Sequence, residues 1–107
     1  MNQWDIFSWS FPEAGTHPAV IVSHPDRVGR KPYVNVLYCA SQRASRPAEG
    51  FEVMLDETDG LDWETLCRCD LLYFAPRSSL KERRGNVTPE RRRQIILRIN
   101  ASMGWWL

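Results

Sequence analysis

Leu66-Cys67-Arg68-Cys69-Asp70-Leu71-Leu72 alternates with a period of two. Cys67, Cys69 and Leu71 share one face of a strand; Arg68 and Asp70 share the other. Tyr73 and Phe74 extend the strand before Pro76. Upstream, Phe51-Glu52-Val53-Met54-Leu55 repeats the pattern, with Phe51, Val53 and Leu55 on one face. The residues from Asp56 to Asp62 form an acidic turn between them. Further upstream, Trp4 to Phe11 reads as an aromatic strand with a bulge between Ile6 and Phe7. Pro12 to Pro18 reads as a loop, Ala19 to Ser23 as a buried strand, and His24 to Lys31 as a turn or loop. Tyr33 to Ala40 is a further strand, and Ser41 to Gly50 a polar loop carrying Arg43 and Arg46. Downstream, Ser79 to Arg84 reads as a short helix ended by Gly85. Thr88-Pro89-Glu90 opens the clearest helix, with Thr88 as N-cap and Pro89 in the first turn. Ile95, Ile96, Ile99 and Met103 form its apolar stripe, and Gly104 stops it. The expected fold is mainly β with α: about five to six short strands plus a C-terminal helix. This is a small curled β-barrel closed or covered by the helix, one domain over residues 1–107.

The 107 residues are 43 % hydrophobic and 25 % charged and include 12 aromatic side chains, enough to build a core and to exclude a disordered chain. No apolar run approaches the roughly 18–20 residues a membrane helix needs. The first residues show neither a basic patch nor an apolar signal core, so a cytoplasmic location is expected. A chain of this size buries a limited core, and a homodimer is a common way to extend it. Cys39, Cys67 and Cys69 cannot form an even set of disulfides. Cys67-x-Cys69 is one residue short of a zinc-type pair, so the three read as buried thiols and no metal or cofactor is expected. Net charge is +1, yet residues 49–67 hold seven acidic and no basic side chains, while residues 68–107 hold nine basic and three acidic ones. The basic part suits a phosphate backbone; alternatively, Arg91, Arg92 and Arg93 solvate one side of a helix.

Several short motifs occur in a particular order. Asp5-Ile6-Phe7 precedes a Pro/Gly loop, and His17-Pro18-Ala19-Val20-Ile21-Val22-Ser23 follows. Then come the strand from Val36 to Ser41, Gly50-Phe51-Glu52-Val53-Met54-Leu55, and Gly60-Leu61 with Thr65. Arg68-Cys69-Asp70 and Gly85-Asn86-Val87-Thr88-Pro89-Glu90 complete the succession. It resembles the MazF/PemK/Kid family, the toxin halves of bacterial toxin–antitoxin pairs, over nearly the whole chain. The resemblance implies an SH3-like barrel, a homodimer, metal-independent cleavage of single-stranded RNA and an acidic antitoxin partner. The chain departs from the family pattern in a short first loop and in His17, which replaces the Arg of the R-P pair.

RNA cleaves when its 2′-hydroxyl attacks the neighbouring phosphorus and the 5′-oxygen leaves, giving a 2′,3′-cyclic phosphate and a 5′-hydroxyl. The candidate catalytic residues are His17, Ser41, Arg68 and Asp70. His17 suits proton transfer, because imidazole exchanges protons near neutral pH. Arg68 suits fixed positive charge on the phosphate oxygens. Asp70 is expected either to hold Arg68 or to act as base, and Ser41 to donate a hydrogen bond to phosphate. Arg43 and Arg46 are candidates to track the RNA backbone, and Trp9, Tyr38 or Phe74 to stack on bases. The alternative is a toxin-fold protein that binds RNA without cutting it or poisons a gyrase as the CcdB group does. Trp105-Trp106-Leu107 is expected to dock on the body; in that alternative it meets a partner instead.

Overall fold

The computed structural model describes residues 1–41 and 46–105. The strands are β1 (Asp5–Phe11), β2 (Gly15–Ile21), β3 (Tyr33–Ser41), β4 (Glu52–Leu55), β5 (Thr65–Pro76) and β6 (Lys81–Asn86). The helices are α1 (Pro25–Arg30) and α2 (Pro89–Met103). All six strands join one sheet in the order β4-β5-β3-β2-β1-β6, with antiparallel pairing throughout. The sheet curls into a half-barrel. The turn after β4 spans the gap to β6: a Cβ on Gly85 would lie 2.0 Å from the carbonyl oxygen of Asp59. Gly85 is therefore required by close backbone approach.

Both sheet faces are packed. Ile6, Leu37, Cys39, Val53, Cys67 and Cys69 form the face beneath α2, which adds the fully buried Ile95. Phe11, Ala19, Ile21, Val34 and Val36 form the other, closed in part by Val28 of α1. Burying a side chain such as Ile95 contributes roughly 1.5–3 kcal/mol. Of the apolar stripe on α2, Ile95 is buried and Ile99 packs against the core, while Ile96 and Met103 are 47 % and 42 % exposed. Residues 95, 99 and 102 form the contacting line, because Ser102 reaches the Cys69 carbonyl. Ile96 and Met103 stand about 100° away from that line.

Four local expectations are corrected. Residues 15–18 belong to β2 rather than to a loop, because Glu13 (φ 63°) and Gly15 (φ 81°) make a tight reversal that lets His17 pair with Trp9. His24 to Lys31 contains a helix, α1, whose first turn is capped by His24 Nδ1 accepting from the Asp26 N–H at 3.1 Å. The short helix expected over Ser79 to Arg84 is a 3-10 turn at Arg77–Ser79 followed by strand β6. Thr88 does stand at the N-cap of α2, but its hydroxyl makes no cap bond. Instead Asp59, reaching across from the acidic turn, accepts the Thr88 N–H at 2.9 Å. The expected bulge between Ile6 and Phe7 is present in the β1–β6 pairing.

The acidic and basic stretches of sequence do not form two separate surfaces. Arg91 bonds Asp56 at 2.7 Å and also the fully buried Asp59. Arg92 donates to the Val87 carbonyl, Arg93 pairs with Glu90, and Arg84 pairs with Asp62. Arg83 and Asn86 donate to the buried Asp5. Arg83, Arg84 and Arg91 of the basic stretch thus hold the acidic turn and β1 in place.

Candidate active site

The strand pairing brings several chemically active side chains onto one end of the sheet. Glu52 of β4 faces Arg68 of β5, Arg68 faces Tyr38 of β3, and Tyr38 faces Ala19 of β2. His17 lies two residues from Ala19 on the same face of β2. Its imidazole stands 5.0 Å from the Tyr38 ring, centroid to centroid. Arg68 thus lies two strand spacings, roughly 10 Å, across the sheet from β2. Among the described residues, no hydrogen bond or ion pair joins His17 to Arg68 or Asp70. Tyr38 stands between them.

The pairing of β3 with β5 is interrupted here. Tyr38 faces Arg68 whereas the adjacent Leu37 faces Leu72, so Cys69, Asp70 and Leu71 form an extra segment on β5. Cys69 turns its N–H to the Phe51 carbonyl at 2.9 Å. Bulges re-aim side chains in this way, and Asp70 is left exposed beside Arg68. Arg68 Nε lies 3.7 Å from Asp70 Oδ1 and 3.7 Å from Glu52 Oε2. Arg46 makes a two-pronged contact with Glu52, its two terminal nitrogens donating at 2.9 and 3.0 Å. These hydrogen bonds hold the Glu52 carboxyl below the usual range, against the effect of its burial. Arg46, Glu49, Phe51, Glu52, Arg68 and Asp70 line an open groove of about 460 Å³.

The imidazole of His17 is fixed at one nitrogen. Its Nε2 lies 2.9 Å from the Ala14 carbonyl oxygen. A carbonyl only accepts, so Nε2 carries a proton and Nδ1 is the nitrogen that exchanges. Ser41, at the end of β3, stands three residues beyond Tyr38 and faces Thr65. That odd offset projects it away from the face of Tyr38, and its hydroxyl accepts from Trp63 Nε1 at 3.3 Å. Arg43 lies outside the described residues. Glu52 was not singled out by sequence. Its alternation with Val53 in Phe51-Glu52-Val53 was a usable signal, but placing it beside Arg68 requires the β4–β5 register.

The aromatic candidates separate. Trp9 is tied by its indole N–H to Ser79 Oγ at 2.8 Å and packs edge-on against Phe11 and Tyr73. Phe74 stacks on Tyr33 beneath Arg27, at the other end of the β3–β5 ladder. Trp9 is the cross-strand neighbour of His17 on β1, and Tyr38 is the one whose ring stands against the imidazole. Trp105 donates to Asn100 Oδ1 at 3.1 Å yet remains 59 % exposed; Trp106 and Leu107 lie outside the described residues. Cys39, Cys67 and Cys69 are buried free thiols. Contact with Cys67, together with burial, pushes the Cys69 thiol far up. Among the described residues, no group of three His, Cys, Asp or Glu side chains is placed to hold a metal ion. No helix of the described chain is long and apolar enough to cross a membrane.

Comparison with solved structures returns the same architecture. An endoribonuclease in complex with its cognate antitoxin, from a Mycobacterial species, is 18 % identical. It superposes with a TM-score of 0.82, covering 100 % of this chain and 98 % of that one. Toxin MazF-mt6 of Mycobacterium tuberculosis is 16 % identical with a TM-score of 0.82, over 96 % of this chain and 99 % of that one. The MazF of a MazE–MazF structure from Deinococcus radiodurans gives 16 % identity and a TM-score of 0.74, over 97 % and 95 %. No curated protein matches the sequence significantly. Residues 2–103 match the family described as the PemK-like, MazF-like toxin of type II toxin–antitoxin systems. This chain belongs to that family.

Proposed function

We propose that the protein is the toxin of a type II toxin–antitoxin pair and cleaves single-stranded RNA without a metal. The observation that carries this reading is the open end of the sheet, where Arg68, Asp70 and His17 share one face around Tyr38. A phosphodiester laid over Tyr38 would meet a guanidinium on one side and an imidazole on the other. Asp70, displaced outward by the β5 bulge, accepts the proton of the 2′-hydroxyl. The 2′-oxygen bonds to phosphorus, Arg68 neutralises the charge on the non-bridging oxygens, and the bond to the 5′-oxygen breaks. His17 Nδ1 delivers a proton to that 5′-oxygen. The products are a 2′,3′-cyclic phosphate and a 5′-hydroxyl. Tyr38 stacks on a base beside the scissile bond. Arg46 contacts the strand along the groove, Arg43 is the further candidate for contact with its backbone, and Ser41, turned to the opposite face of β3, is left out of it.

The partners follow from the same reading: single-stranded RNA as substrate, an acidic antitoxin, and a second copy of the chain as homodimer partner. A cytoplasmic location accords with that substrate. Support comes from the family match and from the resemblance of the fold to toxins whose structures include cognate antitoxins. The test is purified protein incubated with single-stranded RNA in EDTA, with the new ends identified by mass. Cleavage leaving cyclic phosphate, lost in His17→Ala and Arg68→Ala proteins that melt normally, supports the reading. Intact RNA at micromolar folded protein rejects it and leaves the non-catalytic RNA binder or gyrase poison in its place.

A further inference from the structure

Arg68 lies between two carboxylates at equal distance, and they differ in burial. Glu52 keeps only 10 % of its side chain exposed, whereas Asp70 keeps 36 %. Glu52 also holds Arg46 through two hydrogen bonds and accepts the backbone N–H of Glu49 at 3.0 Å. One half-buried carboxylate therefore hydrogen-bonds one guanidinium and lies in ion-pair range of another, and the two come from different parts of the chain: the end of a loop and a strand interior. The nearest approach of both carboxylates to Arg68 is at Nε, 3.7 Å from each, and Arg68 lines the open groove.

We propose that Glu52 is a positioning residue that sets Arg68 and Arg46 as a pair of phosphate clamps along this groove. The proposal rests on the nuclease reading and deepens it. It divides the labour between the carboxylates: Glu52 holds the guanidiniums, and Asp70 is left for the proton. It also makes an unusual demand. Glu52 contributes a negative charge to an anion-binding groove, so it weakens RNA attraction while it improves geometry. Substrate binding and turnover must then respond to its removal in opposite directions.

The experiment compares wild-type protein, Glu52→Gln and Glu52→Asp. Each is assayed for cleavage of an RNA oligonucleotide and for binding of its uncleavable 2′-O-methyl analogue at several salt concentrations. Glu52→Gln removes the charge that Arg46 and Arg68 share while leaving Arg46 its Pro47 and Glu49 contacts and Arg68 its Asp70 contact, and misplacing a clamp by about an ångström costs roughly 100-fold in turnover. Its binding of the analogue holds or tightens, and its salt dependence steepens by about one phosphate contact. Glu52→Asp keeps the charge one methylene further back, so its binding matches wild type and its turnover lies between the two. If Glu52→Gln does not fold, Glu52→Asp carries the test by losing turnover without losing binding. Wild-type turnover in a folded Glu52→Gln protein, or turnover and binding lost together there, overturns the proposal. For Glu52→Asp, wild-type turnover does so. Wild-type protein that leaves RNA intact is a separate outcome and removes the nuclease reading itself.

Discussion

Two regions of this molecule are built from the same ingredients, arginines facing carboxylates, and the two are used differently. Around the acidic turn, Arg91 donates at close range to Asp56 and to a completely buried Asp59, and Asp59 also accepts the N–H of Thr88, the N-cap of α2. In the groove, Arg68 stands 3.7 Å from each of two carboxylates and is partly exposed. The first arrangement engages both terminal nitrogens of Arg91 in hydrogen bonds and joins the β4–β5 turn to the last helix. The second leaves donors for a ligand. Arginine count and net charge do not separate these cases; the number and burial of the partners do.

The largest effect that would sharpen this contrast is on turnover. Arg68→Gln is expected to lower RNA cleavage by roughly 10²–10³-fold, the range for losing one preorganised charge donor. Its melting temperature should stay close to wild type. Arg91→Gln should do the reverse. It leaves the buried Asp59 without its cation and costs about 2 kcal/mol in denaturant unfolding, discounted because Arg91 is itself partly exposed. Cleavage by the protein that remains folded should be unchanged. If Arg91→Gln abolished cleavage in folded protein, the two regions would not be separate.

Acid unfolding gives a smaller effect of known sign. The hydrogen bonds from Arg91 hold the Asp56 carboxyl well below its ordinary value of 3.8. Burial would raise Asp5, but Asn86, the Asn2 N–H and Arg83 outweigh it and hold it low as well. A lowered folded pKa contributes stability that is complete above the unfolded pKa and is lost as pH falls through the folded one. Unfolding free energy should therefore decline below about pH 5, and the decline should be shallower in Arg91→Gln. A steeper decline in the variant would contradict the pairing. The smallest effect belongs to Arg93→Ala. Its Glu90 partner is as exposed as Arg93 itself, and thermal melting should show no measurable change.

The sequence carried the local features well and the long-range ones poorly. Alternation in Leu66 to Leu72 placed Arg68 and Asp70 on one face, and the Thr88-Pro89-Glu90 start located α2. These signals lie within a few residues of one another. Ser79 to Arg84 looked helical because charged residues before Gly85 mimic a helix end, yet Lys81 to Asn86 form β6. That strand is imposed by pairing with β1, some 75 residues away. Glu52 was overlooked for the same reason: its partnership with Arg68 exists only through the β4–β5 register. His17 was read as a loop residue since Gly15 and Pro18 flank it, yet cross-strand pairing with Trp9 makes it strand. The charge blocks were visible in composition, but that they bind each other was not.

The most direct measurement is the fate of single-stranded RNA mixed with wild-type and Arg68→Gln protein in EDTA, with the termini read by mass spectrometry. The account predicts fragments ending in 2′,3′-cyclic phosphate and 5′-hydroxyl with wild type, and nearly intact RNA with the variant. Intact RNA with both proteins, or fragments bearing a 5′-phosphate, would contradict it.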